Sequence, residues 1–392
     1  MSLVLQRATT AREAIRIIGE LAETYGYHST YPLDGEHLAI GDPNEVWSME
    51  VFGPGPDWRP GSDEPGAVWC AQRVPDEHVF VSANRSRISE IDLDDPDQFM
   101  ASPNAFSLAE RMGWWSADSG DPFIWHEAYA PSDLWRAVIR EWRVFDLVAP
   151  SLQLDIDNGR FPFSVPAEEP LDARRVAELQ RDMLEGTAYD PAEDPAFDLG
   201  GRSSPLACPA CSPGFYELLD MDRQRSGNNP YSSFTCLYQA NSAWSDLARG
   251  CAWFGFGPAA TTCHVPIYTG VSSLPPSWGE TELRLFDSSV PFWGTQLPGR
   301  LATAEWQTAY TIVERVRDPA EDAFREEQAS LLATVSSLEP SEAAAWLNDY
   351  TQRRMDAIAQ GFNELADYLL TALYVFNVPI DGSDIPTIGF SP

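Results

Sequence analysis

The connections between three apolar strand candidates constrain this chain most. Residues 46–52 alternate, with Trp47, Met49 and Val51 on one face and Ser48 and Glu50 on the other. Residues 67–74 and 79–83 read as two further strands, joined by the turn Pro75-Asp76-Glu77-His78. The stretch 53–66 holds four Pro and four Gly and is a loop or wide turn. Connections of this kind favour an antiparallel sheet over βαβ units.

Helical periodicity flanks that sheet. Thr10 followed by Glu13 forms a capping box, and Ala14, Ile17, Ile18, Leu21 and Tyr25 recur on one helical face until Gly26. Residues 104–112 form a short helix, and Ser132 caps a longer one carrying Leu134, Val138, Ile139, Trp142 and Val144 or Phe145. The acidic, Pro-rich stretch from about 164 to 205 is mostly loop, interrupted by a helix at 173–184. Strand character returns at 233–239, 251–256 and 261–271. Residues 300–375 are helical, with Ala343, Leu347, Tyr350, Met355, Ile358, Phe362, Leu365, Leu369 and Leu373 in one stripe. The order predicts an α+β fold in a single domain, 1–392, with a loop-rich insertion at about 164–205 and a helical region at about 300–375.

Charge excludes some partners. The formal net charge of −33 sets the chain against a nucleic-acid backbone. Every basic residue is Arg, which fits either a salt-adapted, halophile surface or a GC-rich gene. An aromatic content of 12%, with 14 Trp, is too rich for a disordered chain. No apolar run is long enough to span a membrane, and no secretory signal is evident, so the expectation is a cytoplasmic protein without membrane contact. The six cysteines do not make a disulfide scaffold in a chain this long. Cys208 and Cys211 form a lone CxxC without the further ligands that a structural zinc site needs, so neither metal nor cofactor is expected. Cys70, Cys236 and Cys251 read as buried hydrophobes. Cys263 and His264 adjoin, but strand neighbours point to opposite faces, which argues against a catalytic dyad.

Four blocks carry a resemblance. They are TAREAIRIIGELAETYGY leading into IGDPNEVWSMEVFG, then GAVWCAQRVPDEHVFVSANRSRI, then Arg181 to Asp190 (RDMLEGTAYD), then CAWFGFGPAATTCHVPIYTGVSSLP. Together, and in this order, they resemble the cysteine dipeptidase (dipeptidase A) family of N-terminal-nucleophile hydrolases, whose relatives include secernins. The segment around Phe292 and Trp293 and the C-terminal helices continue the likeness. The resemblance implies an αββα sandwich of antiparallel sheets and cleavage of dipeptides or small peptides. It also implies a mature N-terminal Cys whose thiolate attacks the amide while its own α-amine moves the proton. That amine has a reference pKa of about 7.7–8.0, so it is available near neutral pH.

The matching segments supply candidate site residues. Asn84, in VSANRSRI, aligns with the family's Asn after the hairpin; in related N-terminal-nucleophile hydrolases an Asn so placed helps form the oxyanion hole or bind substrate, and its amide is a suitable donor, against an ordinary reading as an Asn closing a strand end through local backbone bonds. Arg85 and Arg87 have the fork to hold a substrate carboxylate, against an ordinary reading as surface arginines. There are departures as well. The family's Arg-containing segment before the fourth block is here Gln239-Ala240-Asn241-Ser242-Ala243-Trp244, and Met183-Leu184 stand where His-Tyr is usual. The first Cys is Cys70, so the expectation is an N-terminally truncated sandwich without its nucleophile. Such a chain is expected to cleave dipeptides poorly or not at all. A homo-oligomer or the missing segment would then cover the exposed sheet. The alternatives are a non-catalytic relative that binds a peptide or a partner, and a metal module built on Cys208 and Cys211.

Overall fold

The computed structural model describes residues 2–29, 35–131, 134–201, 204, 207–210, 217–218, 224–279, 282, 284–374 and 384–390. They form two compact units, Met1–Pro170 and Leu171–Pro392. Both mix helices with antiparallel sheet, as an α+β chain should.

The first unit is built on β1 (Glu36–Gly41), β2 (Val46–Phe52), β3 (Val68–Val74) and β5 (Phe99–Ala101), paired in that order, with β4 (His78–Phe80) outside this sheet. The helix Ala11–Tyr25 starts at Thr10, whose side chain accepts from the Glu13 N–H, and ends at Gly26. The Glu13 carboxylate reaches back to Thr9 rather than to Thr10, a capping box offset by one residue. Ile15 of this helix packs with Trp47, Met49, Val51 and Trp69. Gly19 permits that approach, because a Cβ there would lie 2.5 Å from the Trp69 indole. The indole N–H in turn donates to Glu23 at 2.7 Å.

The opposite face of the same sheet is also covered. Phe52, Val68 and Cys70 pack with Ile88, Leu108 and Trp125. Ser48 and Glu50 of β2 therefore lie in the interior, at 1% and 2% exposure. One sequence expectation fails here. The 79–83 strand is shorter than expected, and it does not form a hairpin with β3. Instead β4 pairs with β6 (Ser164–Pro166), so residues 81–89 are released from any sheet. Ser132, the expected cap of the helix Trp135–Val148, lies outside the described residues.

The second unit holds the antiparallel sheet β7 (Phe234–Ala240), β8 (Gly250–Phe256) and β9 (Val265–Tyr268). β9 is shorter than the 261–271 expected, because residues 259–261 form a 3₁₀ turn. Leu237, Cys251, Trp253 and Tyr268 pack against two long helices, Trp306–Ser337 and Pro340–Tyr374. The expected stripe holds: Ala343, Leu347, Tyr350, Met355, Ile358, Phe362, Leu365 and Leu369 are all buried, and only Leu373 is partly exposed. The predicted helix in the loop-rich stretch runs over Ala173–Arg181.

Candidate active-site loop and a buried charge network

Residues 83–88 are irregular backbone fixed by two buried carboxylates. Glu50, projecting from β2, accepts from the Arg87 N–H at 2.7 Å and the Ile88 N–H at 3.3 Å. Its other oxygen accepts from the Trp125 indole at 2.9 Å and from the Ser86 hydroxyl. Burial raises the Glu50 pKa, and these four donors only partly oppose it. Glu141, projecting from the helix Trp135–Val148, is fully buried and accepts from both the Arg85 and Arg87 guanidiniums. The same guanidiniums also donate to the carbonyls of Gly159 and Pro162.

Arg85 and Arg87 are therefore not surface arginines. Their side chains are 5% and 3% exposed, and their forks already grip an internal carboxylate. Two cations on one anion satisfy most of the donors that a substrate carboxylate would otherwise engage.

Asn84 is different. It is exposed, and its φ of 66° places it in the left-handed region, which Asn tolerates better than most residues. Its Oδ1 accepts from Arg140 Nη2 at 2.9 Å, and the same nitrogen donates to the Ala83 carbonyl. A guanidinium offers only donors, so this contact assigns the amide oxygen to the Arg140 side and directs the –NH₂ away from it. Nearby, His126 donates from Nδ1 to the Ile88 carbonyl at 2.9 Å and accepts from Arg160 at Nε2. Burial lowers its pKa, which keeps the ring neutral.

The second unit carries a separate network. Arg181, from the third sequence block, donates to Glu321 at 2.5 Å. His264, from the fourth, places Nδ1 3.0 Å from the same Glu321 oxygen, while its Nε2 lies 3.1 Å from the Thr235 hydroxyl. The consistent tautomer has Nδ1–H donating to Glu321 and Nε2 accepting from Thr235. Arg325 donates to the second Glu321 oxygen at 2.7 Å. Burial opposes the Glu321 charge, yet the Arg181 charge and the His264 hydrogen bond win and hold its carboxyl well below the usual range. His264 is pushed down by its burial and stays neutral.

The thiols are not poised for attack. Burial raises the pKa of Cys70, Cys236, Cys251 and Cys263, the opposite of what a nucleophilic cysteine needs. Cys236 is half-buried rather than buried as expected. Cys208 is buried, and Cys211 lies outside the described residues. Among the described residues, no helix is long and apolar enough to cross a membrane.

A family model for peptidase family C69 matches residues 1–318. The chain belongs to peptidase family C69. Its curated relatives include a probable dipeptidase of Latilactobacillus sakei, 23% identical over 92% of this chain and 69% of that protein. Dipeptidase A of Lactobacillus helveticus is 23% identical over 84% of this chain and 60% of its own length. A probable dipeptidase of Salmonella dublin is 28% identical over 48% of this chain. The chain thus spans between 41% and 69% of the length of these three relatives. The C69 match contains all the site residues named above except Glu321 and Arg325, which lie just beyond its end. Glu50, Arg140, Glu141 and Glu321 were not singled out from the sequence. Glu141 carried a signal, since it stands one turn from buried Ala137 and one from buried Phe145 on the apolar face of its helix.

Proposed function

We propose that this chain takes part in dipeptide hydrolysis, with Asn84 donating its amide hydrogens to the oxyanion of the substrate. The observation that carries the reading is the Asn84 side chain, exposed, clamped through Oδ1 by Arg140 and left with its –NH₂ available. A donor held before the reaction stabilises developing charge without reorganising. Arg85 and Arg87 serve this role indirectly, by tying the loop to Glu141. The nucleophile in this reading is an N-terminal cysteine of the mature protein and none of Cys70, Cys236, Cys251 or Cys263. The αββα sandwich belongs to the same proposal, supported by an antiparallel sheet with helix packed on it in each unit.

The test is dipeptide hydrolysis by the mature protein purified from its own cells, with its first residue identified by sequencing. We expect a leading Cys and activity abolished by thiol alkylation. Asn84→Asp keeps an oxygen for Arg140 and removes the donor, so kcat should fall by about 10²–10³ with a smaller change in KM. A mature active enzyme whose first residue is not Cys, or an Asn84→Asp enzyme of undiminished kcat, would overturn the reading.

A further inference from the structure

A short 3₁₀ turn, Ile156–Asn158, lies at the surface of the first unit and sets Asn158 directly before Gly159. We propose that Asn158 is a site of spontaneous modification, where the side-chain amide is converted to an aspartyl or isoaspartyl linkage. The Gly159 backbone nitrogen attacks Cγ of Asn158, and the new N–Cγ bond closes a succinimide ring. The Cγ–Nδ2 bond breaks as the ring closes, and ammonia leaves with the amide proton. Water then opens the ring. Opening at Cγ leaves aspartate, whereas opening at the main-chain carbonyl leaves isoaspartate, whose backbone runs through the former side chain.

Three observations favour this residue. Asn158 is the only asparagine in the sequence that precedes a glycine, which leaves the attacking nitrogen without a neighbouring side chain to crowd it. The space that a Cβ would enter at Gly159 holds no atom within 4 Å. Asn158 is also exposed, and among the described residues its side-chain amide makes no hydrogen bond that would hold Cγ in place. The other exposed asparagine of this region, Asn84, precedes Arg85 and is held through Oδ1 by Arg140. Finally, the Gly159 N–H donates to the Ile156 carbonyl at 3.1 Å, a bond that must open before attack. It closes a three-residue turn without a buried residue, so that opening is local and does not require the unit to unfold.

The position of the turn gives the modification a consequence. The Gly159 carbonyl accepts from Arg85 Nη1 at 2.7 Å, and the same guanidinium grips Glu141. Isoaspartate lengthens the backbone just before that carbonyl and adds a carboxylate next to it. Either change competes with the bonds that Arg85 makes, and Arg85 directly follows Asn84. The modification therefore reaches the loop at residues 83–88 through one side chain.

Incubation of the folded full chain in mildly alkaline and mildly acidic buffer tests this, followed by trypsin digestion and mass spectrometry against an unincubated baseline. The tryptic peptide Val144–Arg160 carries Asn158 and no other asparagine. It should gain the mass of –OH exchanged for –NH₂, with fragment ions placing the gain at Asn158 rather than at Gln153. The gain should be faster in alkali, because the attacking nitrogen must shed its proton, and isoaspartyl methyltransferase should label the peptide. Asn158→Gln keeps an amide but closes the larger ring far more slowly, so the gain should disappear. Amide hydrogen exchange at residues 83–88 should rise in the modified chain and stay unchanged in incubated Asn158→Gln. A peptide that is modified only after unfolding in urea, or exchange at 83–88 that ignores the modification, overturns the proposal.

Discussion

Glu50 and Glu321 are both buried glutamates, at 2% and 1% exposure, yet their environments drive them in opposite directions. Glu50 is met by a hydroxyl, an indole and two backbone N–H groups, all neutral, and its pKa is raised. Glu321 is met by Arg181, Arg325 and His264, and its pKa is held well below the usual value. Neutral donors relieve part of the desolvation cost of a carboxylate, whereas formal positive charge outweighs it. The two sites also differ in what they hold. Glu50 secures a loop backbone beside an exposed Asn84, while Glu321 joins a helix to the backbone entering β9.

The largest effect should come from Glu321→Gln. It leaves Arg181 and Arg325, both largely buried, against a neutral amide, and breaking such a cluster costs about 3–5 kcal/mol. Denaturant unfolding of the full chain at neutral pH measures the loss. The Glu321 carboxyl is depressed in the folded state, so its stabilisation is present above the unfolded value near 4.5 and lost as pH falls through the folded value. The gap between wild type and variant should therefore narrow in acid. A gap that widened in acid would contradict the charge-paired assignment.

Glu50→Gln should cost less, about 1–3 kcal/mol at neutral pH, mostly because the Trp125 indole would face an –NH₂ in place of an acceptor. Its pH dependence should have the opposite sign. A carboxyl raised in the folded state contributes stability below its unfolded value near 4.5 and loses it as pH rises through the folded value. Wild type loses this contribution on going from acid to neutral pH, and the Glu50→Gln variant has none to lose. The variant's deficit should therefore shrink as pH rises. Parallel pH profiles for the two glutamate variants would break the contrast.

How much of this was legible in the sequence depended on whether the signal was local. The capping box at Thr10 and the alternation of 46–52 marked their elements because each pattern is contained within its own segment. Strand β4 lies where the sequence expects a strand, but its pairing is not legible there, because its partner, Ser164–Pro166, lies 86 residues away from it. Alternation separated Glu50 from Trp47, but it carries no information on whether the second face is also covered. Glu321 sits in the polar run Glu-Asp-Ala-Phe-Arg-Glu-Glu, which reads as a solvated helix face. Only its spacing from Val313, Val316, Arg317 and Phe324 places it on the buried side. Asn84 was found from sequence context, whereas the Arg140 contact that orients it joins residues 56 apart.

The smallest effect sharpens the comparison most. Ser86→Ala removes one of the four donors to Glu50 and leaves Trp125 and the two backbone N–H groups in place. A single hydrogen bond to a buried acceptor is worth about 0.5–1.5 kcal/mol, so the loss of stability at neutral pH should be modest. The Ser86 bond lowers the Glu50 pKa, so its removal should raise that pKa further and extend to higher pH the range in which Glu50 is protonated. The matching truncation in the second unit is Thr235→Val, which removes the hydroxyl facing His264 Nε2 and touches no charge. It should lower stability by a similar amount without moving the Glu321 transition, because the Arg181 charge is the strongest influence holding that pKa down. If Ser86→Ala leaves the acid-side profile unmoved while Thr235→Val shifts it, the roles assigned to neutral donors and to formal charge in the two sites are reversed.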